Sequence, residues 1–164
     1  MKKLNSIVVR YPGCIMDEVA PAIELLGAQL PLSIVDMSDI NSTDLVDIVI
    51  VPGGNCENAI LHKPLHELIR TTHLRGGIVA GICNGALVLA SAGVLNNKKC
   101  THTAHPKYAP IPEFAELLSV AEVLFRDSIY VDEDVVVDGK IITAKPWAAN
   151  EFAGVIKLHI DQMD

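Results

Sequence analysis

One segment near the middle of the chain limits the possible folds more than any other. A short apolar run at 77–80 leads into the motif GICNG at 81–85, and residues 86–92 are almost wholly apolar. This order is typical of a buried strand, a sharp turn and a buried helix, and small residues on both sides of the cysteine suit the strained backbone of such a turn. The pattern predicts that Cys83 lies above the carboxyl edge of a sheet, at the amino end of the following helix.

The rest of the chain repeats the alternation of apolar runs with segments of helical spacing. The predicted strands cover residues 6–9, 32–35, 47–51, 77–80 and 99–101, and Asp138-Gly139 predicts the tight turn of a hairpin within 135–143. A helix is expected after Asp17 with a stop at Gly27, and a last helix carries apolar residues from Phe152 onward on one face. Strands that alternate with helices predict an α/β fold with a mainly parallel sheet covered on both faces. We expect a single domain over residues 1–164.

Composition excludes several classes of protein. Half of the 164 residues are hydrophobic, 20% are charged and the formal net charge is -7, which argues against disorder and against a nucleic-acid partner. The chain has no apolar run long enough for a membrane span and no secretory leader pattern, so we expect a cytoplasmic protein without a membrane partner. The cysteines lie far apart without a C-x-x-C pair, so we expect free thiols and no metal or other cofactor. They are Cys14, Cys56, Cys83 and Cys100.

The turn at Cys83 has a specific chemical consequence. Backbone N–H groups and the helix dipole at this place favour a thiolate over a thiol. The neighbouring predicted strand ends in a glycine pair at Gly53-Gly54, and such a loop can direct a backbone N–H toward the same point as the N–H of Asn84. We therefore predict an oxyanion hole formed by Gly54 and Asn84. A plain loop and a structural cysteine in a tight turn remain the alternatives.

Several motifs along nearly the whole chain resemble one known family. They are VPGGN at 51–55, AGICNGA at 80–86, AGVL at 92–95, KCT at 99–101, DGKIITA at 138–144 and EFA at 151–153. In this order they resemble the ThiJ/PfpI superfamily. The resemblance implies a flavodoxin-like three-layer sandwich, a homodimer, and a cysteine flanked by a carboxylate from the first loop and often by a histidine.

The resemblance leaves two candidates for the carboxylate. The family's acidic residue lies just before the first helix and hydrogen-bonds to the cysteine sulfur, and here both Asp17 and Glu18 occupy that region. Counting back from Pro21, which resembles a family proline in this helix, favours Asp17. A protonated carboxyl group could donate to the thiolate if burial and the adjacent negative charge raise its pKa.

The histidine is where this sequence departs from the family. The usual position, counted from the cysteine without gaps, falls on Thr103, with His102 and His105 on either side. His105-Pro106 resembles the family's His-Pro if two residues are inserted, so His105 is favoured over His102. Class I glutamine amidotransferases share the cysteine turn and continue with His-Pro-Glu, whereas Lys107 follows Pro106 here, which disfavours ammonia transfer.

Two functions follow from these residues. In the first, Cys83 attacks a carbonyl-type small substrate, as in an amidase or peptidase-like hydrolase or a glyoxalase/deglycase. The N–H groups of Gly54 and Asn84 then hold the oxyanion, and Asp17 or His105 transfers the proton. In the second, the protein is an oxidative-stress sensor or chaperone-like protein in which Cys83 is reversibly oxidised without turnover.

Overall fold

A six-stranded sheet forms the centre of the structure, a computed structural model that describes residues 3–163. Its strand order is β2-β1-β3-β4-β8-β7. The first five strands in this order run parallel to one another, and β7 pairs antiparallel with β8 at the edge. The strands of this sheet are β1 (Ser6–Arg10), β2 (Leu32–Asp36), β3 (Ile48–Val51), β4 (Ile78–Ile82), β7 (Val135–Asp138) and β8 (Ile141–Ala144). The expected mainly parallel sheet is therefore confirmed.

Helices cover both faces of this sheet. They are α1 (Ala20–Gly27), α2 (Lys63–Leu74), α3 (Gly85–Ser91), α4 (Pro112–Ala115), α5 (Leu118–Leu124) and α6 (Ala149–Asp161). The longest described helix, α6, has 13 residues, and no helix within 3–163 has both the length and the apolar character that a bilayer crossing requires.

Alternation along the strands divides the apolar side chains between two cores. In β3, Ile48 and Ile50 are buried together with side chains of α1 and α6, whereas Val49 and Val51 are buried with those of α2 and α3. Because successive residues of a strand point to opposite faces, one buried strand contributes to both layers. The result is the expected α/β sandwich of helices, sheet and helices.

A smaller unit lies between α3 and the β7–β8 hairpin. Strand β5 (Lys99–Cys100) pairs in parallel with β6 (Ile129–Tyr130), and α4 and α5 lie in the connection between them. The segment 102–113 contains a short 3-10 helix at Pro106–Tyr108 and the start of α4. His102 and His105 lie in this unit, shortly after β5.

The loops that follow β1, β3 and β4 meet at the carboxyl edge of the sheet. Strands β3 and β4 pair so that Val51 lies opposite Gly81, which brings the glycine loop after β3 beside the turn after β4. The loop after β1 joins them through the N–H of Asn55, which donates to the carbonyl of Gly13 at 3.0 Å. Residues far apart in the chain thus converge at one place.

Candidate active site

The turn after β4 holds Cys83 in a left-handed backbone conformation. Its φ is 56°, a region that non-glycine residues rarely occupy, and its N–H donates to the carbonyl of Ala144 at 2.7 Å. A Cβ atom on Gly85 would lie 2.2 Å from the carbonyl oxygen of Val51, and one on Gly81 would lie 2.8 Å from the backbone of Gly85. The two glycines are therefore needed for the close contact between strand and helix, as the sequence pattern indicated.

Two main-chain donors face the sulfur of Cys83. The backbone N–H groups of Gly54 and Asn84 form hydrogen bonds to this side chain, which is only 6% exposed. These are the two residues that the sequence analysis proposed for the oxyanion hole, and the structure brings both to Cys83. An oxygen anion that forms beside the sulfur would meet donors already in place.

The carboxylate that reaches Cys83 belongs to Glu18, and the favoured Asp17 is exposed to solvent. The reason is local: Met16–Glu18 form a turn of 3-10 helix before α1, and this turn directs residue 18 inward. Glu18 is 8% exposed, accepts a hydrogen bond from the N–H of Gly53 at 2.9 Å, and forms a second hydrogen bond with the Cys83 side chain. The expectation for Asp17 is therefore corrected to Glu18, the alternative that the sequence left open.

Burial dominates the electrostatics of this pair. Desolvation, followed by the negative charge of Glu18, raises the pKa of the Cys83 thiol to about 12, although the N–H groups of Asn84 and Gly54 act in the opposite direction. Burial also raises the pKa of Glu18, against the hydrogen bonds from Gly53 and Cys83. The helix dipole alone had predicted a lowered thiol pKa, and the buried neighbouring carboxylate reverses that direction. Each group is buried beside the other, so the site disfavours two negative charges at once.

We expect Glu18→Gln to stabilise the fold at neutral pH but not in acid. Because the folded-state pKa of Glu18 is raised, the stability that its protonated form contributes is complete below the unfolded-state pKa and is lost as the pH rises through the folded value. A neutral glutamine keeps an oxygen for the Gly53 N–H and avoids the buried charge. The gain should be about 1.4 kcal/mol for each pH unit by which burial raises this pKa.

The measurement is the free energy of unfolding in urea at about pH 7.5 and about pH 3.5, on either side of the ordinary glutamate pKa. Asp17→Asn is the matched control, since Asp17 is exposed beside Glu18, and it should change neither value by more than about 0.5 kcal/mol. A Glu18→Gln variant that is less stable than the parent protein at both pH values would contradict the assignment of a buried charge to Glu18.

A buried tyrosine fixes the glycine loop, and sequence reasoning missed it. The hydroxyl of Tyr11 lies 2.5 Å from the carbonyl oxygen of Pro52 and 3.0 Å from that of Gly53, and the N–H of Ile15 also donates to Gly53 at 3.0 Å. Because the C=O and N–H of one peptide point in opposite directions, holding the Gly53 carbonyl directs the Gly54 N–H toward the sulfur. The available sequence signal was a tyrosine at the end of the first predicted strand.

The side chain of Asn84 adds a second restraint on the loop. Its Nδ2 donates to the carbonyl of Gly54 at 2.7 Å, which ties the turn after β4 to the loop after β3. The sequence indicated a backbone donor at this residue. In the structure its side chain also positions the glycine loop.

The structure does not bring the predicted histidines to Cys83. His105 caps the 3-10 helix at Pro106–Tyr108 by accepting the N–H of Lys107 at 3.1 Å, and its ring stacks on Tyr130. His102 is buried against Phe125. Both rings line a separate cavity, because the smaller unit of β5 and β6 carries them away from the carboxyl edge of the main sheet. The expected placement of His105, or alternatively His102, beside the cysteine is therefore corrected.

Cys83 lies in a cleft of about 720 Å³ that also contains Glu18, Gly54 and Asn84. No histidine is among the described residues that line it. Glu18 is the ionisable lining residue that forms a hydrogen bond with the Cys83 side chain. The remaining lining residues come mainly from the glycine loop and from the segment around α4 and α5, and they are Ile15, Asn55, Glu57, Ile60, Glu113, Phe114, Glu116, Leu117, Val120 and Pro146.

Comparison with known proteins gives a consistent assignment. Residues 27–157 match the DJ-1/PfpI family. An uncharacterized protein of Methanocaldococcus jannaschii is 41% identical over 108 residues, which cover 65% of this chain and 47% of that protein. A protein of Caenorhabditis elegans named glutathione-independent glyoxalase DJR-1.2 is 31% identical over 110 residues, 65% of this chain and 51% of its own. The chain thus spans about half the length of these curated relatives.

A third relative provides a structural comparison. DJ-1beta of Drosophila melanogaster is 34% identical over 116 residues, which cover 68% of this chain and 54% of that protein. Its crystal structure superposes with a TM-score of 0.75, at 24% identity, over 96% of this chain and 90% of that chain. The two chains therefore share one fold over almost their whole length.

Proposed function

Because the chain belongs to the DJ-1/PfpI family, we propose that it is a cysteine-dependent enzyme that converts small α-oxoaldehydes into α-hydroxy acids. One observation carries the proposal: a nearly buried thiol contacts a carboxyl group of raised pKa and two convergent main-chain donors. The name of the C. elegans relative, a glutathione-independent glyoxalase, supports the same chemistry.

The first step is addition of Cys83 to the aldehyde. Glu18 accepts the proton of the Cys83 thiol as the sulfur bonds to the aldehyde carbon, and the carbonyl electron pair moves onto oxygen. The N–H groups of Gly54 and Asn84 stabilise this oxyanion, and Glu18 then supplies its proton to give a hemithioacetal. A carboxyl group of raised pKa suits this task, because burial makes it a stronger base toward the thiol than an exposed glutamate is.

The second step is a proton transfer between the two carbons of the substrate. Glu18, now a carboxylate, takes the proton from the carbon bonded to sulfur and passes it to the oxygen of the neighbouring carbonyl group, which gives an enediol. The hydroxyl group on the first carbon then loses its proton as the second carbon gains one, which leaves a thioester with an α-hydroxyl group. The first carbon is oxidised and the second is reduced, so the substrate supplies both halves of the redox change. Water then attacks the thioester, the sulfur leaves, and the α-hydroxy acid is released. The net reaction converts one oxoaldehyde and one water molecule into one α-hydroxy acid, and the thiol is regenerated.

The confined position of the sulfur favours small substrates over peptides. Only 6% of Cys83 is exposed, and none of the described residues that line the cleft is a histidine that could protonate a departing amine. An aldehyde needs no such leaving-group acid, since its carbonyl oxygen stays attached throughout. The amidase and peptidase alternatives therefore receive less support from the geometry than the glyoxalase reaction does.

The same geometry supports oxidation sensing as a second candidate function. A peroxide could oxidise the Cys83 sulfur by transferring an oxygen atom and releasing water, and a second equivalent would give the sulfinate. The donors from Gly54 and Asn84 suit a sulfinate oxygen, and a protonated Glu18 could donate to another. This candidate differs from the first because it predicts modification without turnover.

The deciding experiment measures lactate formed from methylglyoxal by the purified protein. We expect lactate to accumulate in proportion to the methylglyoxal consumed and far beyond one equivalent per chain. Intact mass after mild peroxide treatment is measured in parallel. Consumption that stops at one equivalent, without lactate, would reject the enzymatic proposal, and selective addition of two oxygen atoms at Cys83 would then favour the sensor.

A further inference from the structure

We propose that three carboxylates at the mouth of the Cys83 cleft select uncharged substrates and repel anions, including the product of the reaction. They are Glu57, Glu113 and Glu116. The identity of the substrate and product rests on the proposed function, whereas the repulsion is a property of the cleft that can be measured without turnover. The cleft is a ligand site on separate grounds, because a nucleophile and two main-chain donors converge in it.

Glutamate is the only charged residue type among the described residues that line this cleft. Glu18 contacts the sulfur, and Glu57, Glu113 and Glu116 are exposed where the cleft opens to solvent. No lysine, arginine or histidine contributes to the lining within residues 3–163. A single exposed charge has a small effect in water, but charges of one sign around a cleft act together on a charge inside it. The lining thus gives the cleft a negative charge.

Two lysines near one wall of the cleft do not offset this charge. Lys145 precedes the lining residue Pro146, but its ammonium group forms an ion pair with Asp132, and Lys107 binds the same carboxylate. The carbonyl of Asp134 accepts the N–H of Lys145 at 2.9 Å, which places a second acidic residue beside them. The two positive and two negative charges cancel, so this group leaves the sign of the charge in the cleft unchanged.

An anionic substrate would be repelled at the reacting carbon. In an oxoacid the carboxylate is attached directly to the carbonyl carbon, so it would lie within a few bonds of the sulfur and close to Glu18. The N–H groups of Gly54 and Asn84 are occupied by the developing oxyanion and cannot also hold a carboxylate. An uncharged oxoaldehyde meets neither difficulty.

The same charges favour release of the product. The proposed reaction begins with an uncharged oxoaldehyde and ends with an α-hydroxy acid, which is ionised at neutral pH because carboxyl groups in water have low pKa values. Hydrolysis of the thioester therefore creates one negative charge inside a cleft lined by glutamates. The product is repelled as it forms, whereas the substrate is not, so product inhibition should be weak.

The first test compares alkylation of Cys83 by iodoacetamide and by iodoacetate, which are similar in size and differ in charge. In both reactions the sulfur displaces iodide, and peptide mass mapping separates Cys83 from the other cysteines. The ratio of the two rates is divided by the same ratio for β-mercaptoethanol, which removes the intrinsic difference between the reagents. We expect a preference for iodoacetamide of at least about fivefold at about 10 mM salt and below about twofold at about 1 M salt.

Matched variants locate the charges. Glu113→Gln combined with Glu116→Gln removes two carboxylates from the lining and should lower the preference at low salt at least about twofold. Glu24→Gln combined with Asp127→Asn is the control, since both residues are exposed and neither lines the cleft. The control changes the net charge by the same amount and should leave the preference within about 1.5-fold of the parent value.

Inhibition by lactate tests the release of product. At low salt, the inhibition constant of lactate should lie at least about tenfold above the KM of methylglyoxal. The double variant of Glu113 and Glu116 should lower this inhibition constant at least about twofold and leave the KM of the uncharged methylglyoxal unchanged. A merely structural effect would change both constants, so the split between them identifies the charge.

Three results would overturn the proposal. One is a preference for iodoacetamide that stays below about twofold at low salt, a result that needs no variant to fold. Another is an equal change in the preference for both double variants. The third is a Cys83 that neither reagent modifies, because the cleft would then not admit even a small uncharged molecule. Lactate formation without charge preference would reject this proposal and leave the proposed function, whereas charge preference without lactate formation would do the reverse.

Discussion

Replacing Cys83 by serine should lower the rate of lactate formation from methylglyoxal by at least about 10³-fold. Serine occupies nearly the same volume, so the turn after β4, with its φ of 56°, should persist. The hydroxyl of serine is a far weaker acid than a thiol, and Glu18 cannot generate an alkoxide from it in a buried site. The loss should therefore appear in kcat, while the circular dichroism spectrum and the unfolding transition remain those of the parent protein.

Cys14→Ser provides the control for this substitution. Cys14 is half-buried in the loop after β1 and does not line the Cys83 cleft, so its replacement should leave most of the activity. A Cys83→Ser protein that still forms lactate at the parent rate would remove the sulfur from the mechanism. Equal losses in both variants would point to damage of the loop region and not to a nucleophile.

The second large effect is expected from Gly53→Ala. A Cβ atom at this position would lie 2.6 Å from the Cβ of Cys83, 2.6 Å from Oε1 of Glu18 and 2.8 Å from the backbone N of Asn84. Each distance is shorter than van der Waals contact allows, and two of the three neighbours are fixed by the backbone. We expect a loss of about 1–3 kcal/mol in the free energy of unfolding, together with loss of activity.

Gly154→Ala is the matched control for the added methyl group. Gly154 lies exposed in α6, and a Cβ atom there has no neighbour within 4 Å. Alanine at this position should stabilise the protein by about 0.5–1 kcal/mol, because it has the higher helix propensity. Urea unfolding measures both changes. A Gly53→Ala protein as stable and as active as the parent would mean that the loop relaxes freely, contrary to the packing around Glu18.

The parts of the site that depend on local sequence could be predicted. The turn at Cys83 needs Gly81 for a contact with Gly85 and Gly85 for a contact with Val51 on the neighbouring strand. Because both glycines keep a fixed spacing around the cysteine, the pattern is visible in the sequence. The sheet could likewise be inferred, because buried parallel strands form continuous apolar runs. Asn84 followed from the pattern around Cys83, and Gly54 followed from the glycine pair that ends the neighbouring strand.

The partners of the cysteine could not be fixed in this way. The choice between Asp17 and Glu18 depends on a single 3-10 turn, which rotates one side chain inward and leaves no periodic pattern. The histidines depend on how the segment from β5 to β6 folds, and that path is set by packing between distant elements. Tyr11 was missed because a hydroxyl that holds a loop 41 residues away has no local pattern.

The link from the Asn84 side chain to the Gly54 carbonyl has a consequence for substrate binding. The Tyr11 hydroxyl holds the carbonyl of Gly53, so both peptide groups that flank the Cα of Gly54 are anchored to the rest of the protein. The cleft is therefore held in one shape by the protein itself, and little binding energy should be lost to reorganisation when a ligand binds. For the proposed reaction, this rigidity would let a small molecule with few contacts be positioned without a closing lid.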